Sequence, residues 1–163
     1  MEKFDWKKSI DECLNSTNFC CIGTVDESGT WSNPLYFAWD GNYAFYVISP
    51  PDSRHMKNLE KNKNISMAVY STNQIPGTGV IGVQLEGEGN ILTDIEEVKK
   101  AYNIYYKRRF PETGKADSRT PEDCAKENAE WRFVKIVPNN LFYFNLDMFG
   151  HERQLMPKEF YTK

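Results

Sequence analysis

The sequence predicts a mainly β fold of the α+β type, a small antiparallel barrel of six to seven strands with two or three helices on its outside. Three observations carry this. Short aromatic and β-branched runs recur along the chain, separated by turn residues at close spacing. Only two or three stretches have helical periodicity. At 163 residues, with 40% hydrophobic and 14% aromatic residues, the chain fits one domain (residues 1–163) with a filled core.

Trp6, Ile10, Cys13 and Leu14 fall at helical spacing, which predicts an amphipathic helix from about Asp5 to Asn15 lying over one barrel opening. Phe19 to Val25 reads as a strand, Asp26-Glu27-Ser28-Gly29 as a turn, and Trp31 to Trp39 as the returning strand. Asp40-Gly41-Asn42 turns the chain into a third strand, Tyr43 to Ser49. After a double proline a short helix begins, capped by Asp52 or Ser53. Lys61-Asn62-Lys63-Asn64 is then a turn, and a fourth strand follows from Ile65 to Ser71.

Gly77-Thr78-Gly79-Val80-Ile81-Gly82 matches a dinucleotide-binding GxGxxG string, but Pro76 precedes it and a strand follows instead of a helix, so we reject that reading. Val83 and Leu85 alternate with Gln84, Glu86 and Glu88, while Gly87 and Gly89 mark a bulge or a close backbone approach. Thr93-Asp94-Ile95-Glu96 reads as a capping box opening a helix through Val98, Tyr102 and Tyr105 to Arg109, stopped at Phe110-Pro111. Residues 112–129 are polar and turn-rich, expected to be the most mobile part, with a short helix after Pro121 capped by Thr120. Trp131 to Val137 and Leu141 to Leu146 read as a closing hairpin around Pro138-Asn139-Asn140, and the tail with Phe149, His151 and Arg153 as a segment folding over a neighbour.

A net charge of -3 argues against a nucleic-acid binder, which needs a basic face. Cys13, Cys20, Cys21 and Cys124 have no CxxC spacing, and two histidines cannot complete a zinc site with them, so no metal is expected. Adjacent Cys20 and Cys21 on a strand point to opposite faces and read as packed hydrophobes. No run approaches the roughly 18 apolar residues of a membrane helix, and no apolar stretch follows a basic start, so no membrane contact and a cytoplasmic location are expected.

The ligand site is expected where the third strand meets the short helix. There the first free N–H groups of the helix lie beside the Ser53 hydroxyl, the Arg54 guanidinium and His55, a donor set suited to a phosphate. On composition alone, the favoured reading is that Asp52 and Ser53 only cap the helix, with Arg54 and Lys57 in water.

The order strand, turn, Ser53-Arg54-His55, Asn58-Leu59, polar turn, strand resembles the flavin-binding split-barrel superfamily related to pyridoxamine 5'-phosphate oxidase. The likeness runs from Phe19 to about Gly150. It includes Trp31-Ser32-Asn33, Ala44-Phe45-Tyr46-Val47, Gly82-Val83-Gln84-Leu85-Glu86-Gly87-Glu88, and Ala101-Tyr102 leading to Arg108-Arg109-Phe110-Pro111, as in a little-characterised bacterial branch. The resemblance implies an antiparallel split β-barrel with peripheral helices and a homodimer holding two FMN molecules at the subunit interface. By likeness Ser53, Arg54 and His55 meet the phosphate, and Val47, Ile48 and Ser49 run beside the ring. Asn33 and Tyr36 join from the adjacent strand, and Gln84 reaches the flavin of either subunit or is an ordinary solvent-facing residue.

Two departures stand out. His55 takes the place of a lysine found in many such oxidases. The C-terminal arginine-x-histidine pattern for substrate is missing, since His151-Glu152-Arg153 has the order reversed.

The expected function is an FMN-dependent oxidoreductase acting on an unidentified small-molecule substrate or electron donor, with Trp131, Tyr36 or Phe149 as a stacking wall. The alternatives are a non-catalytic dimeric module binding flavin or haem, with His55 or His151 as iron ligand, and a scaffold that has lost its FMN site. No GxSxG elbow supports a hydrolase.

Overall fold

In the computed structural model, which describes residues 4–115 and 118–161, the chain forms a curled antiparallel sheet with five helices around it, a split-barrel α+β fold. Helix α1 (Trp6–Asn15) starts at Asp5, whose carboxylate accepts from the Lys8 N–H at 3.0 Å. Strands β1 (Phe19–Asp26), β2 (Gly29–Tyr36), β3 (Ala38–Trp39) and β4 (Phe45–Ser49) follow, then α2 (Arg54–Lys61). Next come β5 (Asn64–Tyr70), β6 (Ile81–Ile91), α3 (Ile95–Arg109) and α4 (Pro121–Ala125). The chain closes with β7 (Arg132–Asn145), α5 (Leu146–Phe149), β8 (Gln154–Leu155) and a 3-10 turn, Lys158–Phe160. The sheet runs β2-β1-β5-β6-β7-β4-β3, with β8 paired to β7.

Two apolar cores lie on opposite faces. Beneath α1 and α2, Ile10, Leu14, Ile22, Val47, Met56, Leu59, Ile136 and Leu141 form the first. Between β4, β7, α3 and α4, Tyr46, Ile48, Val98, Tyr105, Tyr106, Cys124 and Phe133 form the second. Strand β4 feeds both by alternation, and all five of its residues are buried. Cys20 is buried and Cys21 half-buried, as expected for neighbours on opposite faces, and both are free thiols.

Several boundaries differ from those expected. The predicted strand Trp31–Trp39 is two strands, interrupted at Phe37, which turns into the first core. Tyr43 sits in the Asp40 turn with φ 56°, so β4 starts at Phe45. The N-cap of α3 is Asp94, accepting from the Glu96 and Glu97 N–H groups at 3.0 Å each, rather than Thr93.

The largest correction concerns residues 131–146. They form one 14-residue strand, not a hairpin. Strand β6 pairs along its whole length, and the register slips by one residue between Glu86 and Gly87, so Pro138-Asn139-Asn140 is a bulge. Gly87 permits it, because a Cβ there would lie 2.1 Å from the Val137 carbonyl oxygen.

The short helix after Pro121 is present, with a Thr120–Asp123 capping box. The tail folds back on its own sheet: Phe149 packs against Phe4 and Tyr143, and β8 pairs with β7.

Candidate functional site

Strand β4 delivers Ser49 to a Pro50-Pro51 break, and α2 starts at Arg54, five residues after Ser49. Met56 and Leu59, 0% and 2% exposed, fix α2 to the first core, so its N-terminus is held rigidly. Ser53 occupies the cap position in extended backbone (φ -66°, ψ 150°), yet it makes no side-chain cap bond. Its hydroxyl instead donates back to the Pro50 carbonyl at 2.8 Å. The first-turn N–H groups of α2 are therefore left without a side-chain acceptor, in contrast to α1, α3 and α4, each of which has one. Ser49 Oγ and His55 Nε2 each lie 3.4 Å from Ser53 Oγ. Burial of the His55 ring, 3% exposed, pushes its pKa below the ordinary value of 6.5. It is neutral at pH 7.

The Arg54 guanidinium has partners within the chain. Its Nε and Nη2 donate to the two Asp26 carboxylate oxygens at 3.1 Å each, and Nη2 also donates to Ser28 Oγ at 2.7 Å. It stacks on the Trp31 ring at 4.8 Å. Arg54 above all, with Ser28, holds the Asp26 carboxyl down at a pKa of about 2. With its amide oxygen toward the Thr24 hydroxyl (3.0 Å), buried Asn58 donates to Asp26 Oδ2 and to the Arg54 carbonyl at 3.0 Å each. Thr24, Asn58, Asp26 and Arg54 thus tie the β1–β2 hairpin to α2.

The remaining predicted residues fall into three groups. Val47 and Ile48 are buried in the two cores, so they offer backbone and not side chain. Strand β3 pairs only with Phe45 and Tyr46, and the Val47–Ser49 edge away from β7 has no strand partner among the described residues. Asn33 and Trp31 lie opposite Ile22 and Thr24 and share the inner sheet face, toward α2. Tyr36, at the end of β2, packs edge-on against Tyr105 (5.4 Å) beneath Arg108 and Arg109.

Gln84 is on the other face of the sheet. There it accepts a hydrogen bond from Arg153 Nε and lines a shallow cleft of about 420 Å³ with Cys21, Ser32, Ser66 and Phe142. The structure therefore gathers Ser49, Ser53, Arg54 and His55 at one junction and separates Gln84 from it by the thickness of the sheet. Trp131 lies under Arg119 at 4.8 Å beside α4, and half-buried Phe149 packs against the first core beside Phe4 and Tyr143, so neither is a wall of this junction.

Sequence reasoning missed Thr24, Asp26, Ser28 and Asn58. Asp26-Glu27-Ser28-Gly29 reads as a turn, and a carboxylate pairing with an arginine 28 positions away leaves no local trace. What the junction offers chemically is a rigid set of N–H and hydroxyl donors with a neutral imidazole that can take a proton.

A family model described as pyridoxamine 5'-phosphate oxidase matches residues 6–128. Among curated protein sequences none matches significantly. The fold is similar to that of a conserved hypothetical protein, Rv2991, of Mycobacterium tuberculosis, at 15% identity and TM-score 0.67 over 95% of this chain and 93% of that one. It is also similar to a heme binding protein of Mycobacterium smegmatis, at 13% identity and TM-score 0.70 over 99% of this chain and 61% of that one. A protein of Clostridium acetobutylicum related to general stress protein 26, of the pyridoxinephosphate oxidase family, aligns at 17% identity and TM-score 0.63 over 94% of this chain and 96% of that one. At these identities the structural likeness speaks for the fold, and the family model, covering most of the chain, identifies it as a member of the pyridoxamine 5'-phosphate oxidase family.

Proposed function

We propose that this chain is an FMN-binding oxidoreductase whose flavin phosphate is held at the start of α2. The observation that carries the reading is the uncapped first turn of α2 beside Ser49, Ser53 and His55. A helix start without a side-chain acceptor favours an anion through its free N–H groups and its dipole. In this reading Ser53 turns its hydroxyl from the Pro50 carbonyl to a phosphate oxygen, and His55 takes up a proton as the phosphate arrives. The unpaired edge of Val47–Ser49 offers backbone groups to the flavin ring, with Asn33 and Trp31 facing it from β2. Arg54 contributes less than a free arginine would, because Asp26 already neutralises it.

FMN supplies hydride transfer. The protein's part is to hold the flavin, keep water from it and place a small-molecule substrate or electron donor beside it. No described histidine–carboxylate pair flanks the junction for acid–base work.

The same reading makes the active species a homodimer. Gln84 lies on the outer sheet face, so it can approach a flavin only from a second copy. That face also exposes Phe19 (61%), Tyr70 (47%) and Leu155 (49%), apolar side chains a partner would cover. A cytoplasmic site of action accords with four unpaired cysteines, and no described helix is long and apolar enough to cross a membrane.

The competing reading is a non-catalytic module that binds flavin or haem, favoured by the likeness to the mycobacterial heme binding protein. Titrating apo protein with FMN, riboflavin and haem separates the two. Preference for FMN over riboflavin, followed by reduction with NADH or NADPH, supports the oxidoreductase. Uptake of haem with a Soret band and no flavin preference overturns it.

A further inference from the structure

A second cleft, of about 320 Å³, opens between α2 and the link from β6 to α3. Its floor is apolar, formed by Met56, Leu59 and Ile91, and its rim carries Glu60, Lys63, Asn90, Thr93 and Arg132. Arg132, the first residue of β7, is anchored at one end: Nη2 donates to the Lys126 and Glu127 carbonyls at 2.9 and 2.8 Å. Its other terminal nitrogen, Nη1, is buried and is the one such side-chain atom without a hydrogen-bond partner among the described residues.

A buried guanidinium N–H needs an acceptor, and buried groups without one are few in folded proteins. Among the described residues no carboxylate lies within ion-pair distance of Arg132 or Lys63. The lining thus holds two cations against one anion, Glu60. Asn90 and Thr93 add neutral hydrogen-bonding groups next to an apolar floor.

We propose that this cleft binds a small organic carboxylate, its acid group between Arg132 Nη1 and the Lys63 ammonium and its apolar body over Met56, Leu59 and Ile91. A carboxylate supplies the missing acceptor and balances the excess charge. The volume is at the lower end for small-molecule sites, about 300–1,000 Å³, which limits the ligand to roughly the size of a benzoate or a short branched acid. The cleft borders the proposed phosphate junction, with Pro51 and the first-turn residue Met56 in its lining, but its charged groups, Arg132 and Lys63, are not among the residues proposed to hold the flavin.

Benzoate and inorganic phosphate are the probes, added to the full-length protein while backbone amide signals are followed by NMR. Benzoate is expected to shift the amides of Asn90, Ile91 and Thr93. Its affinity is expected to fall about tenfold in Lys63→Gln, the loss of one charge-assisted bond. Lys63 is exposed, so that variant keeps the fold. Arg132→Gln is expected to weaken binding at least as much. Phosphate, lacking an apolar body, is expected to bind more weakly than benzoate. No shift with benzoate, shifts confined to Ser53–His55, equal affinity in the parent and Lys63→Gln, or phosphate binding as well as benzoate would each overturn the proposal.

Discussion

Replacing Arg108 with methionine is predicted to cost more stability than any other single change outside the apolar cores. The guanidinium joins three separate pieces of chain: it donates to the Phe37 carbonyl at 2.7 Å, the Leu14 carbonyl at 3.0 Å and the Thr17 carbonyl at 2.7 Å. Leu14 is in the last turn of α1, whose end carbonyls have no helical partner, and Phe37 is the break between β2 and β3. The charge is also stacked on Phe37 and Trp39 at 4.6 and 4.8 Å.

Methionine keeps much of the packing and removes all three donors. Hydrogen bonds to a charged group contribute about 1.5–3 kcal/mol each, but loss of neighbouring bonds is not additive and Thr17 is partly reached by water, so we expect about 3–5 kcal/mol in total. For a chain of this length that lowers Tm by roughly 6–20 °C. Urea denaturation followed by circular dichroism gives the value directly, with an unchanged slope expected because the same surface is exposed on unfolding. Arg108→Lys, which keeps the charge but not the fork, should fall between the two. A loss below about 1 kcal/mol for the methionine variant would mean that the three carbonyls find other donors, and the clamp would have to be abandoned.

Gly87→Ala should destabilise by about 1–3 kcal/mol, since its Cβ would meet the Val137 carbonyl oxygen at 2.1 Å, whereas Gly41→Ala, with open space around it, should be nearly neutral; equal melting temperatures would refute the close approach. Because burial lowers the His55 pKa in the folded state, the unfolded chain binds the proton first. The stability that neutral His55 contributes is therefore full above pH 6.5 and is lost as the pH falls from 6.5 toward the folded value, and His55→Gln should flatten that part of the stability profile. In the same residue, proton uptake on phosphate binding predicts that FMN affinity rises from pH 8 to pH 6.5 while riboflavin affinity stays level; parallel curves would remove His55 from the phosphate. Asp26→Asn, which frees the Arg54 charge, should tighten FMN relative to riboflavin by about fivefold, and an unchanged ratio would take Arg54 out of the site.

What could be read from the sequence was whatever is written locally. The alternation in β1, β5 and β6, the stripe from Val98 to Tyr105 and the cap at Thr120 are set by near neighbours, and each formed as expected. The failure at Pro138-Asn139-Asn140 is instructive: those residues are the usual ones for a turn, but Gly87 across the sheet admits the extra residue, and β6 is long enough to pair on both sides of it. A bulge and a turn draw on the same residue types and are separated only by the partner strand. The junction at Ser53-Arg54-His55 was legible from its order of elements. Its electrostatics were not, because Asp26 and Asn58 reach Arg54 through the fold and not through spacing. Nor does Gln84 reveal its sheet face until strand register is known.

The measurement that bears most directly on the phosphate site is amide chemical-shift mapping of the full-length protein with FMN and with riboflavin. The account predicts that FMN moves the Arg54, His55 and Met56 amides strongly and that riboflavin, which lacks the phosphate, leaves them nearly in place while both ligands move Val47–Ser49. If FMN binds and those three helix amides do not respond, the phosphate is held elsewhere and the open first turn of α2 is not its site.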